Sequence, residues 1–315
     1  MLPLLPLLTT KQLKNVLSIR AKVILFLIKK AYATFQHKNP SISTMRIGFE
    51  RVMASMPNFC KFKEEQIEIA SVFCLKITST ESKTNNKNLV LYLHGGAYAM
   101  GSPQTHARMC GALAQKTGYE IIIPKYALAP ERPFPQALHD ILRVYKELIE
   151  RYPTKTIILA GDSAGGGLAL SLKLFLRDHK VVQPKLTLLL SPWLDLTGNS
   201  DKAKKNEASD IYISIENIKK FGLLYAGDNI QDPYASPIFS ELDNLGDIYI
   251  QVGEHEILRA DSEYMLELTK NTDGTHVTLD VVPGMFHVFQ QAIGLFPEAN
   301  TALDRASSWL KVKLL

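Results

Sequence analysis

The sequence predicts an α/β fold: a mainly parallel central sheet with helices on both faces and a helical cap. Three observations carry this. From residue 89 onward, short apolar runs alternate with segments of helical length, the pattern of βαβ units. One of these runs, Thr156-Ile157-Ile158-Leu159-Ala160, leads straight into Gly161-Asp162-Ser163-Ala164-Gly165 and then into a small-residue helical stretch. The alternation pauses once, over about residues 198–230, for a polar insertion of helical character.

Taken in order, the chain opens on an apolar stretch, Met1 to Leu8, with two prolines and no preceding cationic region, which argues against a cleaved signal peptide. Residues 11–37 have Leu, Val and Ile at helical spacing with Lys and Arg between. The longest uncharged apolar run there, Val23 to Ile28, is six residues. A bilayer span needs about twenty, so a transmembrane helix is not expected. Two roles fit this helix: packing on the body as part of a cap, which is favoured, or peripheral contact with anionic membrane or lipid. Asn39-Pro40 ends it, and a second short helix is expected over Ser41 to Met56. Gln66 to Thr78 alternates as one strand, and Thr80 to Lys87 reads as a polar turn.

Leu89 to Leu93 is a buried strand ending on His94-Gly95-Gly96-Ala97. A helix over about Thr105 to Thr117, a strand over Tyr119 to Pro124 and a helix running to about Arg151 follow, the last opened by a proline-rich loop. After the strand and helix around Ser163 comes a strand from Leu186 to Leu190. Beyond the insertion are a strand over Asp247 to Val252, a helix over about 260–270, a strand from His276 to Val282 and a closing helix over about 297–312. The expected organisation is therefore N-terminal cap helices in 1–62 and a catalytic domain in 63–315 carrying the insertion. Ligands in such sheets sit beyond the carboxyl ends of the strands; the insertion and the N-terminal helices are placed to roof that site.

Whole-chain properties exclude several classes. The net charge of +5 is uneven: residues 1–63 hold eleven Lys and Arg against one acid, Glu50, so the remainder is slightly acidic. A nucleic-acid partner is therefore not expected. Three cysteines with no C-x-x-C pair argue against a disulfide framework and for a reducing compartment, hence a cytoplasmic protein. No metal-ligand spacing, no phosphate-binding P-loop and no dinucleotide fingerprint occurs, so neither metal nor cofactor is expected.

The G-x-S-x-G turn between strand and helix exposes a serine hydroxyl and needs glycines where neighbouring backbones approach. By itself the pattern is weak, and a serine needs a base. His287 lies in Pro283-Gly284-Met285-Phe286-His287-Val288-Phe289, just past the last strand, at the sheet edge where Ser163 emerges. His37, His106, His139 and His179 read as surface or core residues. A carboxylate must then select the imidazole tautomer that accepts the serine proton. Glu254 and Glu256 both lie just past the strand ending at Val252 and compete for that role, with Asp261 already on the next helix. The expected oxyanion donors are the N–H groups of Gly95, Gly96 and Ala164, and His94 reads as a loop-organising residue.

At these positions the chain resembles the hormone-sensitive-lipase-like family of carboxylesterases, in the branch with a G-D-S-A-G-G elbow. The matching stretches are His94-Gly95-Gly96-Ala97, Tyr126-Ala127-Leu128-Ala129-Pro130-Glu131, Phe134-Pro135, Gly161 to Gly166, Ser191-Pro192-Trp193-Leu194-Asp195, Asp232 to Pro237, Gly253-x-x-Glu256-x-Leu258 and His287-Val288-Phe289. The resemblance implies an α/β-hydrolase fold and a Ser–acid–His triad acting without a cofactor on a small-molecule partner, an ester of a short- to medium-chain acyl group. It places the acid on Glu256, where many members carry Asp. Ala127 and Lys125 depart from the family's usual Arg and Asp, which removes a structural ion pair. The alternatives are a catalytically silent receptor on the same fold, a lactone or amide hydrolase, and an interfacial lipase.

Overall fold

A computed structural model describes residues 17, 18, 21, 40–81 and 87–315. The expected apolar start, the helix over 11–37 apart from residues 17, 18 and 21, and most of the polar turn over 80–87 lie outside the described residues. The description begins in effect with α1 (Ile42–Ser55), whose first turn is capped by the Ser41 hydroxyl accepting from Thr44 N.

Among the described residues eight strands form one sheet: β1 (Phe62–Ile69), β2 (Val72–Ser79), β3 (Asn88–Leu93), β4 (Glu120–Pro124), β5 (Thr156–Asp162), β6 (Leu186–Leu190), β7 (Gly246–Gly253) and β8 (Thr275–Val282). Their order is β1-β2-β4-β3-β5-β6-β7-β8. Only the pairings β1–β2 and β2–β4 are antiparallel; the other neighbours run parallel. The single strand expected over Gln66 to Thr78 is instead a hairpin. The chain reverses at Ala70 and Ser71, which take φ of 50° and 60°, the left-handed pair of a two-residue hairpin turn. Neither residue is among the usual formers of that turn, so the alternation ran through it unbroken.

The central parallel strands β3, β5 and β6 are apolar on both faces because both faces are covered. Leu89, Leu91 and Leu93 of β3 face a core shared with α3 (Gln136–Arg151), α4 (Ala164–Asp178) and α7 (Arg259–Leu268). Val90 and Tyr92, with opposite pleat, face α2 (Pro103–Thr117) and α8 (Pro297–Lys313). The insertion forms α5 (Asp201–Asn206) and α6 (Ile215–Ala226), and buries Ile218, Phe221 and Tyr225 in the first of these cores. Near the start of the chain, Ala21 is buried beside Met285, Phe286 and Phe289, and the Ser18 amide and hydroxyl donate to the Glu298 carboxylate.

From β3 the chain goes to β4 on one side and then crosses to β5 on the other. The carboxyl ends of β3 and β5 therefore flank the point where strand order reverses, the place where ligands bind in open α/β sheets. The His94 loop and Ser163 follow those two ends.

Candidate active site

β5 ends at Asp162 and α4 starts at Ala164, leaving Ser163 alone to make the turn with φ 54° and ψ −124°. That backbone region is strained for a residue with a Cβ by about 1–3 kcal/mol. Surroundings hold it: Ser163 N donates to Leu190 O, and Ser163 O accepts from Gly166, Gly167 and Trp193. The sharpness of the turn explains its glycines. A Cβ on Gly161 would lie 2.4 Å from Gly165 O, and one on Gly165 only 2.1 Å from Leu93 O.

His287 stands in the loop after β8, with Nε2 2.9 Å from Ser163 Oγ and Nδ1 2.8 Å from Glu256 Oε2. Glu256 is fully buried just past β7. Its other oxygen accepts from Ser191 Oγ at 2.8 Å and from Gly253 N at 2.5 Å. Burial works to lower the His287 pKa, but the Glu256 hydrogen bond and charge, with Asp210 and Asp162 beyond, leave it raised above the usual 6.5. A hydroxyl, an imidazole and a carboxylate thus lie in one hydrogen-bonded line from the sheet edge into the protein. Ser163 is 9% exposed and the His287 side chain 11%, while Glu256 is fully buried, so the line opens to solvent at the serine and imidazole and closes at the carboxylate.

The competing acids do other work. Glu254 accepts from Gly284 N at 2.8 Å and braces the loop that carries His287. Asp261 accepts from the amides of Leu194 and Asp195. Burial and the neighbouring Asp195 charge push its carboxyl up to about 8.

The donors expected on the first glycine loop need one correction. Gly95 N–H is directed inward, 3.1 Å from Asp162 Oδ1 and 3.2 Å from His106 Nε2, so it is not free for a substrate oxygen. Asp162 is buried, which acts to raise its pKa, but His106 and the Tyr92 hydroxyl bond hold it below the ordinary value. The charged carboxylate therefore claims the Gly95 amide. The amides of Gly96, Ala97 and Ala164 have no acceptor among the described residues. Gly96 takes φ 122°, and a Cβ there would meet Met100 O at 2.2 Å. His94 is buried and stacked on Tyr126 at 4.2 Å between ring centroids; burial, reinforced by His106, lowers its pKa to about 3 and keeps it neutral. It shapes the loop.

Two further polar residues meet the line without having been singled out from the sequence. Ser191 follows β6 with φ 48°, and its hydroxyl joins Glu256 Oε1 to the amide of Val288, which donates at 3.2 Å. The motif Ser191-Pro192-Trp193 was visible, but its use of the hydroxyl depends on a strand 65 residues away. Asp210 of the insertion accepts from Ile257 N, Tyr212 N and Ile213 N, joining the insertion to the loop of Glu256. Replacing Ser191 with Ala leaves a buried amide without its partner and one carboxylate oxygen short of a donor. Expected is a loss of about 1–3 kcal/mol in a urea unfolding experiment and a roughly tenfold fall in turnover. An unchanged midpoint together with unchanged turnover would remove Ser191 from the support of the acid.

Among the described residues no group of three His, Cys, Asp or Glu could hold a metal ion, and no helix is long and apolar enough to cross a membrane.

Comparison with known proteins adds to this geometry. A family model described as the alpha/beta hydrolase fold matches residues 90–291. An esterase of Acinetobacter venetianus is 35% identical over 280 residues, covering 88% of this chain and 91% of the relative. An acetyl-hydrolase of Streptomyces hygroscopicus is 32% identical over 276 residues, covering 87% and 91%. The crystal structure of an esterase from the bacterial hormone-sensitive lipase family superposes with a TM-score of 0.86 at 29% identity, covering 95% of this chain and all of that one. With the fold, the family match and these relatives together, the chain belongs to the hormone-sensitive-lipase-like family of α/β-hydrolase carboxylesterases.

Proposed function

We propose that this carboxylic ester hydrolase acts on acyl esters of short to medium chain through Ser163, His287 and Glu256, by way of an acyl-enzyme. The observation that carries the reading is the continuous line Ser163 Oγ–His287 Nε2 and His287 Nδ1–Glu256 Oε2, at 2.9 and 2.8 Å. Ser163 Oγ attacks the ester carbonyl while its proton passes to His287 Nε2. The carbonyl oxygen gains negative charge and is held by the amides of Gly96, Ala97 and Ala164 at the start of α4. The tetrahedral intermediate collapses, the bond to the leaving alcohol breaks, and His287 gives that oxygen its proton. Water then attacks the acyl-serine, losing a proton to His287. Collapse of the second intermediate frees the carboxylic acid and returns the proton to Ser163.

The chain length of the acyl group is argued from the relatives. One is named acetyl-hydrolase, another, of Pseudomonas putida, ethyl acetate hydrolase. A similar solved structure was soaked with p-nitrophenyl butyrate. We also read residues 1–62 and about 198–230 as a cap over the catalytic domain in 63–315. Supporting this are the bonds of Asp210 to the acid loop and the burial of Tyr225 against Tyr98 of the His94 loop.

A fluorophosphonate tests the site directly. Attack by Ser163 Oγ forms an O–P bond and expels fluoride, so the peptide bearing Ser163 should gain the phosphonyl mass in the native protein and not in His287→Ala. Label on another residue, or equal labelling of the variant, would reject the serine–histidine pairing. In a series of p-nitrophenyl esters, acetate and butyrate should be turned over faster than laurate; the reverse order would make the protein a long-chain lipase.

A further inference from the structure

We propose that Arg46, on α1, is a positioning residue for the oxyanion donors, so that docking of α1 sets the geometry of the loop that carries them. The inference rests on the reading above that Gly96 and Ala97 hold the developing oxyanion.

The loop between β3 and α2 is held in a demanding shape. Ala97 and Tyr98 take φ of 54° and 56°, two consecutive residues with a Cβ in the left-handed region. Such a pair is uncommon, and it persists only where the surroundings over-determine it. Within the loop, the amides of Ala99 and Met100 both donate to Gly96 O, at 3.0 and 2.9 Å, which folds residues 96–100 into one tight turn. The free amides of Gly96 and Ala97 belong to this turn, so its orientation is their orientation.

Arg46 anchors the turn through its carbonyl at residue 99. Nε donates to Ala99 O at 2.6 Å and Nη2 to Ala129 O at 2.8 Å. Nη1 and Nη2 also take the two oxygens of Glu131, each at 2.7 Å. Ala129 in turn donates its own amide to Tyr98 O at 2.8 Å. One guanidinium therefore joins the turn to the 129–131 loop, and that loop returns a second bond to the same turn. Only a planar fork with several fixed donors can serve three partners at once; a lysine ammonium has neither the span nor the directions. α1 has no buried residue; Ile42 and Met45 pack half-buried against the core, and this polar fork ties the helix to the two loops. Glu131 is exposed and its pair with Arg46 lies near the surface, so Glu131 orients the fork rather than holding the turn.

The experiment compares Arg46→Ala, Arg46→Lys and Glu131→Gln with the native full-length chain and with Ser163→Ala, each at a temperature where circular dichroism shows it folded. Small displacements of catalytic groups cost roughly up to 10²-fold in rate. Arg46→Ala is expected to lower kcat by about tenfold or more with KM within about twofold. Its affinity for an alkyl trifluoromethyl ketone, whose adduct with serine carries an oxyanion, should fall by the same factor. Arg46→Lys should stay impaired although it keeps the charge beside Glu131. Glu131→Gln, which leaves the bonds to Ala99 and Ala129, should keep kcat within about threefold of native. Native kcat and ketone affinity in Arg46→Ala would overturn the proposal, as would full rescue by Arg46→Lys or a loss in Glu131→Gln equal to that in Arg46→Ala. If Arg46→Ala does not fold, Arg46→Lys and Glu131→Gln decide between the same outcomes. An active Ser163→Ala would instead reject the site reading on which the proposal stands; an inactive Ser163→Ala with a normal Arg46→Ala rejects the proposal alone.

Discussion

Ser163→Ala is expected to lose essentially all ester hydrolysis, a fall in kcat of about 10⁵–10⁶-fold, while thermal unfolding stays close to native. The first part follows from chemistry. Among the described residues no other hydroxyl or thiol is hydrogen-bonded to His287 Nε2, and the acyl-enzyme route needs a nucleophile there. Losing the nucleophile of a serine–histidine pair removes nearly the whole benefit of the triad, leaving what the oxyanion donors and binding provide. The second part follows from packing. The Ser163 backbone, held by Leu190 O and by the amides of Gly166, Gly167 and Trp193, is untouched by the substitution. Alanine tolerates that backbone no better than serine, and only one side-chain hydrogen bond to a partly exposed imidazole is lost. Hydrolysis of p-nitrophenyl butyrate with the variant, beside a denaturation curve, checks both. Substantial remaining activity would take Ser163 out of the mechanism and reopen a different hydrolase chemistry on this fold.

Glu256→Gln is expected to lower kcat/KM by about 10³–10⁴-fold, from the loss of both a charge and a tautomer. Glutamine can turn an N–H toward Nδ1, which stabilises the ring form whose Nε2 already carries its proton and cannot accept that of Ser163. The pH profile should change as well, and the sign can be worked out. The native His287 pKa is raised above 6.5, and its protonated form is useless as a base, so native activity is lost as pH falls through that raised value. Burial opposes the raised value and Glu256 is its main support. With the carboxylate gone the acid limb should move to lower pH, while Asp210 retains part of the effect. Measurement of kcat/KM against pH for both proteins separates the two consequences. A near-native plateau would return the role of the acid to Glu254 or Asp261, in spite of their present bonds to Gly284 and to the Leu194–Asp195 amides.

Much of the architecture was legible because it is written locally. A parallel strand covered on both faces must be apolar throughout, so β3, β5 and β6 are visible as runs in the sequence. A backbone that approaches another within a bond's length of a Cβ must use glycine, which makes Gly161 and Gly165 visible too. The hairpin at Ala70 and Ser71 escaped because its turn uses residues that carry no preference for a left-handed backbone. Gly95 was placed among the oxyanion donors because glycine next to glycine suggests an exposed amide. What turned that amide inward is Asp162, which is 67 residues away in sequence and one strand away in space.

The sequence by itself determined the α/β-hydrolase sheet, the strand-turn-helix around Ser163 and the loops that bear His287, Glu256 and the paired glycines. These follow from hydrophobic period and backbone sterics, both of which act over a few neighbouring residues. Tertiary structure alone decided which amides of the His94 loop are left without an acceptor, and how Ser191, Asp210 and Arg46 tie separate loops together. A hydrogen bond needs its distance set within tenths of an ångström and its angle near linear, and the bonds by which Ser191, Asp210 and Arg46 reach other loops join residues between 47 and 97 apart, a distance over which no local pattern carries orientation.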